Sequence, residues 1–88
     1  MKRLTELPNI GPTLAQKLNA IGVETEQELM EMGSENAIIK IATLERGETC
    51  INMLYALEGA VQGIRWHLLS RERKEELKVF YRLVQAIF

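Results

Sequence analysis

Apolar residues recur at spacings of three and four along nearly the whole chain, and runs that alternate apolar with polar are scarce. The pattern predicts an all-α fold: a compact bundle of five or six short helices. A first short helix spans Lys2–Leu7 and stops at Pro8, which lacks an amide donor and disfavours helix in the residue before it. Pro12 suits the first turn of a second helix, which runs to about Ala20 and ends at Gly22. Thr25-Glu26-Gln27-Glu28 has the form of a capping box and starts a third helix that ends near Gly33. Ser34 suits the cap of a fourth, with Ala37, Ile38, Ile41, Ala42 and Leu44 on its inner side and Arg46-Gly47-Glu48 breaking it.

The fifth helix, about Thr49–Gly63, is apolar on nearly two faces. Cys50, Met53, Leu54, Leu57, Val61 and Ile64 form a broad stripe, which makes Cys50 a small core residue. Asn52, Ala56, Gly59 and Gly63 form a row of small residues on the other side. Glycine inside a helix costs roughly 1 kcal/mol relative to alanine, so this row marks a close backbone approach and the central helix of the domain. A linker, residues 64–69, leads to Ser70, the cap of a last helix ending near Ile87. There Leu77, Phe80, Tyr81, Val84, Ile87 and Phe88 share one arc. Arg71, Lys74, Lys78 and Arg82 form a basic stripe on the opposite side.

Near the N-terminus, Leu4, Leu7, Asn9-Ile10-Gly11, Ala15 and Leu18 resemble a helix-hairpin-helix motif, with Asn9 in place of the usual first glycine. Asparagine tolerates left-handed backbone better than most residues, so the turn can survive the exchange, although its side chain narrows the approach of a phosphate. A shift of 22 residues partly repeats the pattern: Leu7 meets Leu29, Ile10 meets Met32, Gly11 meets Gly33 and Ala15 meets Ala37. Glu31 replaces Asn9 in this second copy, and a carboxylate there repels phosphate, so the copy reads as structural only.

At 88 residues the chain makes one domain, 1–88, with a hairpin pair over 1–44 and the central and basic final helices over 45–88. A net charge of −1 argues against wholesale attraction to nucleic acid, but the distribution is uneven. The last 25 residues hold six bases against three acids, and the chain before them is acidic. No apolar run reaches the roughly 20 residues of a membrane span, no signal peptide is evident, and one cysteine forms no internal disulfide. These features point to a cytoplasmic protein without a membrane partner.

Two places can hold an anion. In the hairpin, the amides of Gly11, Thr13 and Leu14 open a helix and Lys17 follows one turn later, a setting for a nucleic-acid phosphate; the competing reading is a plain helix-joining turn. On the last helix, Arg71, Lys74, Lys78 and Arg82 can track a nucleic-acid backbone or an acidic protein, or can be solvated charges, with Arg71 able to pair with Glu75. Catalytic, metal and cofactor sites are not expected. His67 is the single histidine, aspartate is absent, and Trp66-His67 reads as cover for a helix junction. Glu58 is the acid expected to be partly enclosed, paired with a base such as Arg65 or reaching the edge.

The blocks LTELPNIGPTLAQKLNAIGVETEQELMEMG, CINMLYALEGAVQGIRWHLL and RERKEELKVFYR together resemble the C-terminal domain of the TfoX (Sxy) family of bacterial competence regulators. The resemblance covers almost the whole chain. It implies a non-enzymatic module related to DNA uptake, in a family whose longer members act with the cyclic-AMP receptor protein. The expected partners are a nucleic-acid backbone, bound weakly and without sequence preference, or a transcription-related protein. The competing class is a protein–protein or self-association module, a possible homodimer, with Val79, Leu83 and Phe88 beyond the main arc as its face.

Overall fold

The computed structural model describes residues 2–88. Five α-helices follow one another: α1 (Pro12–Ala20), α2 (Glu26–Met32), α3 (Ser34–Leu44), α4 (Ile51–Gln62) and α5 (Arg71–Ile87). The fold is all-α. Single 3-10 turns at Leu4–Glu6 and Trp66–Leu68 precede α1 and α5. The first element is therefore one turn, shorter than the expected helix over Lys2–Leu7, because Pro8 ends it before a full α-turn closes. With only that turn as its first arm, the N-terminal segment does not establish a helix-hairpin-helix.

Local chemistry sets most boundaries. Pro12 occupies the first turn of α1, and Gly22, at φ +89°, lets the Val23 amide reach back to Leu18 O at 2.9 Å. The capping box forms: Glu28 N donates to Thr25 Oγ1 at 3.2 Å, and Thr25 N donates to Glu28 Oε1 at 3.1 Å. An isolated antiparallel bridge between Arg3 and Thr25 ties the start of the chain to this corner. Ser70 caps α5 by accepting from Arg73 N at 3.1 Å.

Ser34 departs from expectation. Gly33, at φ +83°, both ends α2 and caps α3, so Ser34 is the first helical residue and its hydroxyl is free for other work.

The core joins all the elements. Leu18, Leu29, Ile38, Ile41, Leu54, Leu57 and Leu77 are its largest fully buried side chains. Most residues assigned inward do lie inward, with three corrections. Leu44 is exposed in the last turn of α3, and Ile87 faces outward on the same side of α5 as Leu83, while Phe88, one residue further, packs on the core. Cys50 is exposed as well: it is the N-cap of α4, in extended backbone, and its side chain lies outside the helical stripe.

α4 is central, with a buried face that includes Leu54, Leu57, Gly59 and Ala60. Gly63, at φ +75°, ends it, and Ile64 N bonds to Gly59 O at 2.8 Å. A Cβ on Gly59 would lie 2.8 Å from Ile64 O and 3.1 Å from Trp66 N. The close approach expected from the small-residue row is found at Gly59, where the chain just beyond the same helix makes it; Gly63 has open space beside it and serves as the left-handed end of the helix.

Candidate functional site

The N-terminal turn is built around Asn9, whose φ of +70° is the one positive value among the described non-glycine residues. Gly11 is extended, with φ −93° and ψ −178°. The left-handed position of the turn is thus filled by asparagine, which tolerates it best among residues with a side chain. Asn9 Nδ2 donates to Ile64 O at 2.9 Å and Ala56 O at 3.4 Å, and Asn9 Oδ1 accepts from Trp66 N at 3.1 Å. The side chain therefore points into the protein and closes the C-terminal end of α4. It does not stand over the mouth of the turn.

Gly11 and Thr13 are exposed and Leu14 is half-buried at the start of α1, where Ala15 N is the first amide to bond back, to Gly11 O at 3.0 Å. Lys17 does not extend that amide cluster into an open basic site. Its side chain is 15% exposed and faces Glu45 at 3.5 Å and Glu48 at 4.0 Å. An open cavity of about 710 Å³ lies on the other side of the turn, where Glu6, Asn9, Gly11, Arg65 and Leu68 are among its lining residues.

The four α5 bases lie on one flank of the helix, beside the packed face formed by Leu77, Tyr81 and Val84, because a step of four residues rotates a side chain by only about 40°. They are not opposite it. Lys74 sits over the Trp66 ring, 5.7 Å from its centroid, and reaches His67 O at 3.5 Å. Lys78 pairs with Glu75 at 3.4 Å, taking the carboxylate expected to pair with Arg71. Arg71 and Arg82 are exposed and have no ion-pair partner among the described residues.

A cavity of about 500 Å³ opens beside the same flank, lined by Lys78 and Arg82 from α5 and by Thr49 and Cys50 ahead of α4. Tyr81 Oη and Thr49 Oγ1 are hydrogen-bonded at 2.9 Å at its wall. Of the eight residues assigned to anion contact, Arg71, Lys74, Lys78 and Arg82 share one surface. Gly11, Thr13, Leu14 and Lys17 form a separate group on α1.

A model of the family described as the TfoX C-terminal domain matches residues 1–81. The chain belongs to the TfoX C-terminal domain family. It is 29% identical over 76 residues to the DNA transformation protein TfoX1 of Aliivibrio fischeri, a match that takes in 86% of this chain and 36% of that protein. The TfoX C-terminal domain described here thus spans about a third of the length of that relative. Two solved structures of Listeria monocytogenes proteins share its fold. A triclinic crystal form of an uncharacterized protein is 46% identical with a TM-score of 0.92, covering 96% of this chain and 94% of that one. A tetragonal form of a protein of unknown function is 48% identical with a TM-score of 0.88, covering 92% and 99%.

Behind the surfaces of this TfoX C-terminal domain lies a buried polar cluster that sequence reasoning placed only in part. Glu58 is buried, as expected, but its base is Arg73, at 3.2 Å, and not Arg65, which is exposed beyond the end of α4. Ser34 Oγ donates to Glu58 Oε1 at 2.6 Å and Gln62 Nε2 to Glu58 Oε2 at 2.7 Å. Arg73 also meets Glu76 at 3.1 Å and Glu35 at 3.7 Å, so α3, α4 and α5 converge on one carboxylate. Burial pushes the Glu58 carboxyl up, but hydrogen bonds from Arg73, Ser34 and Gln62, with the Arg73 charge, more than reverse that and hold it below its usual value. The hydrogen bond to Glu58 raises Arg73 above its already high value, against the opposing effect of its burial. Arg73 lies between Glu72 and Lys74 in a run that reads as surface, so only its i, i+3 spacing to Glu76 hints at this role.

The cluster is a structural clamp with both Glu58 carboxylate oxygens engaged. Tyr55, which stacks on Trp66 at 5.9 Å, keeps a buried hydroxyl without a hydrogen-bond partner among the described residues. No group of three or more His, Cys, Asp or Glu side chains that could hold a metal ion occurs among the described residues. No helix there is long and apolar enough to cross a membrane.

Proposed function

We propose that this domain is a non-enzymatic, cytoplasmic module of competence regulation that contacts a nucleic-acid backbone weakly and without sequence preference through the basic flank of α5. One observation carries the reading: Arg71, Lys74, Lys78 and Arg82 lie along a single accessible flank, and the two arginines are free of acidic partners among the described residues. Guanidinium groups without local carboxylates are suited to phosphate oxygens, and spacings of three and four hold successive charges on one line. The printed name of the Aliivibrio fischeri relative, a DNA transformation protein, agrees with a role in DNA uptake. The α1 turn is a secondary contact at most in this scheme, because Lys17 already faces two glutamates.

Titration of duplex DNA at several salt concentrations tests the proposal. Four phosphate contacts give log K a slope of about −3 to −4 against log salt, and the Arg71→Gln/Arg82→Gln variant lowers that slope by about 2. Absence of binding at low salt rejects it.

A further inference from the structure

The turn that leads into α5 carries an aromatic stack that ends in solvent. Tyr55 of α4, itself buried, lies nearly parallel to Trp66, with ring centroids 5.9 Å apart and an angle of 12° between the planes. Trp66 in turn stacks on His67 at 4.0 Å and 28°. His67 is exposed, so Trp66 covers one face of its ring and the other face remains open. The turn itself is fixed: Leu68 N donates to Arg65 O at 2.9 Å, Leu69 N donates to Trp66 O at 3.1 Å, and the Leu69 side chain is buried. The imidazole is therefore held in place before any partner arrives, which lowers the entropic cost of a contact made there.

Cations stand beside this ring. Lys74 donates to His67 O at 3.5 Å and lies 5.7 Å from the Trp66 centroid. Arg71, which follows His67 by four residues, is exposed, and neither base has an ion-pair partner among the described residues. An open ring face next to cations that no carboxylate neutralises suits single-stranded nucleic acid, in which cations hold the backbone and a base lies on the ring.

We propose that the start of α5 is selective for single-stranded DNA: a base stacks on the open face of His67 while Lys74 and Arg71 take the adjoining phosphates. The inference rests on the proposed function for its phosphate contacts and adds the base. Inside a duplex each base is paired and covered above and below by its neighbours, so it offers no face to the imidazole. Phosphate contacts alone favour the duplex, which carries about twice the charge per unit length. A preference for the single strand thus needs the ring. Every base has a π-face, so the contact stays indifferent to sequence.

Fluorescence anisotropy at one low salt concentration tests this with three labelled probes: an oligothymidylate of about 12 nucleotides, the same backbone with abasic sites throughout, and a duplex of equal length. The thymidylate should bind about tenfold tighter than the abasic strand, and tighter than the duplex. His67→Ala should bring the thymidylate down to the abasic level, and His67→Phe, which keeps a ring face, should retain most of the advantage. Equal binding of thymidylate and abasic strand overturns the inference, as does a preference for the duplex or an advantage that survives His67→Ala. In those cases the phosphate contacts of the proposed function still stand. Failure of all three probes to bind rejects the phosphate contacts themselves, and the base contact with them.

Discussion

Asn9 and Gly59 stand 50 residues apart in sequence and fill one small space between them. A Cβ on Gly59 would meet Asn9 Nδ2, with Ile64 O and Trp66 N close behind, and both of those backbone groups are bonded by Asn9, which also reaches Ala56 O. The glycine makes room for the asparagine, and the asparagine satisfies the chain where it leaves α4.

Gly59→Ala should therefore destabilise the domain even though alanine is the better helix former. The helical gain is about 1 kcal/mol, whereas overpacking against backbone costs typically 1 to 3 kcal/mol and here also displaces hydrogen bonds of about 1 kcal/mol each. A net loss of about 1 to 3 kcal/mol in urea denaturation is expected. A gain would show that the contact relaxes freely.

Substitutions of Asn9 should separate backbone from side chain. Asn9→Gly keeps the left-handed turn but leaves Ile64 O and Trp66 N without Asn9, a loss of about 1 to 3 kcal/mol. Asn9→Ala should lose about 1 kcal/mol more, because alanine also resists φ +70°. Equal stability of the two variants would mean that the turn conformation contributes nothing separate.

The Glu58–Arg73 pair should make stability depend on acid. The folded Glu58 carboxyl lies below its usual value of 4.5, so between the unfolded and folded values the unfolded chain binds the proton more readily. The contribution is complete above the unfolded value and is lost as pH falls through the folded one. Arg73→Gln should cost about 2 to 3 kcal/mol near pH 7, because the carboxylate loses its one close cation, and the gap to the wild type should narrow as pH falls below the usual carboxylate range and through the lowered Glu58 value. Denaturant midpoints of both proteins followed from neutral pH down into the acid range check this; a gap that stays constant until the wild type itself unfolds in acid would exclude the pair as its source.

Trp66 is the sole tryptophan, and Lys74 lies over its ring. A phosphate drawn to Lys74 should change Trp66 emission in proportion to bound DNA, and Lys74→Ala should abolish most of the change while binding falls by about one phosphate contact. An unaltered spectrum on saturation with DNA would move the contact away from this end of α5.

Much of this fold is legible because its determinants are local. The Thr25–Glu28 box, Pro12 at the head of α1 and the Ser70 cap each involve residues within four positions of one another. The misassigned residues depend on distant partners. Ser34 has the chemistry of a cap, but the preceding glycine takes that place and Glu58, 24 residues on, takes the hydroxyl. Glu58 offers no sequence signal that separates Arg73 from Arg65, since only the packing of α5 against α4 decides between them. Cys50 fits the apolar period of α4 yet falls one residue outside the helix, where the period no longer applies. For the anion contacts, sequence groups eight candidates by type; three dimensions add that Lys17 is already paired and that the four α5 bases form one flank.

Gly33 joins α2 to α3 by itself, and this fixes where the chain can change length. One added residue at that corner would turn α3 by about 100° about its axis, rotating Ser34 away from Glu58 and Ile38 and Ile41 out of the core. Deletion would do the same in the other sense. The exposed Arg46-Gly47-Glu48 loop sets no such phase, so natural insertions and engineered tags belong there, and the spacing from Leu29 to Glu58 should vary only through it.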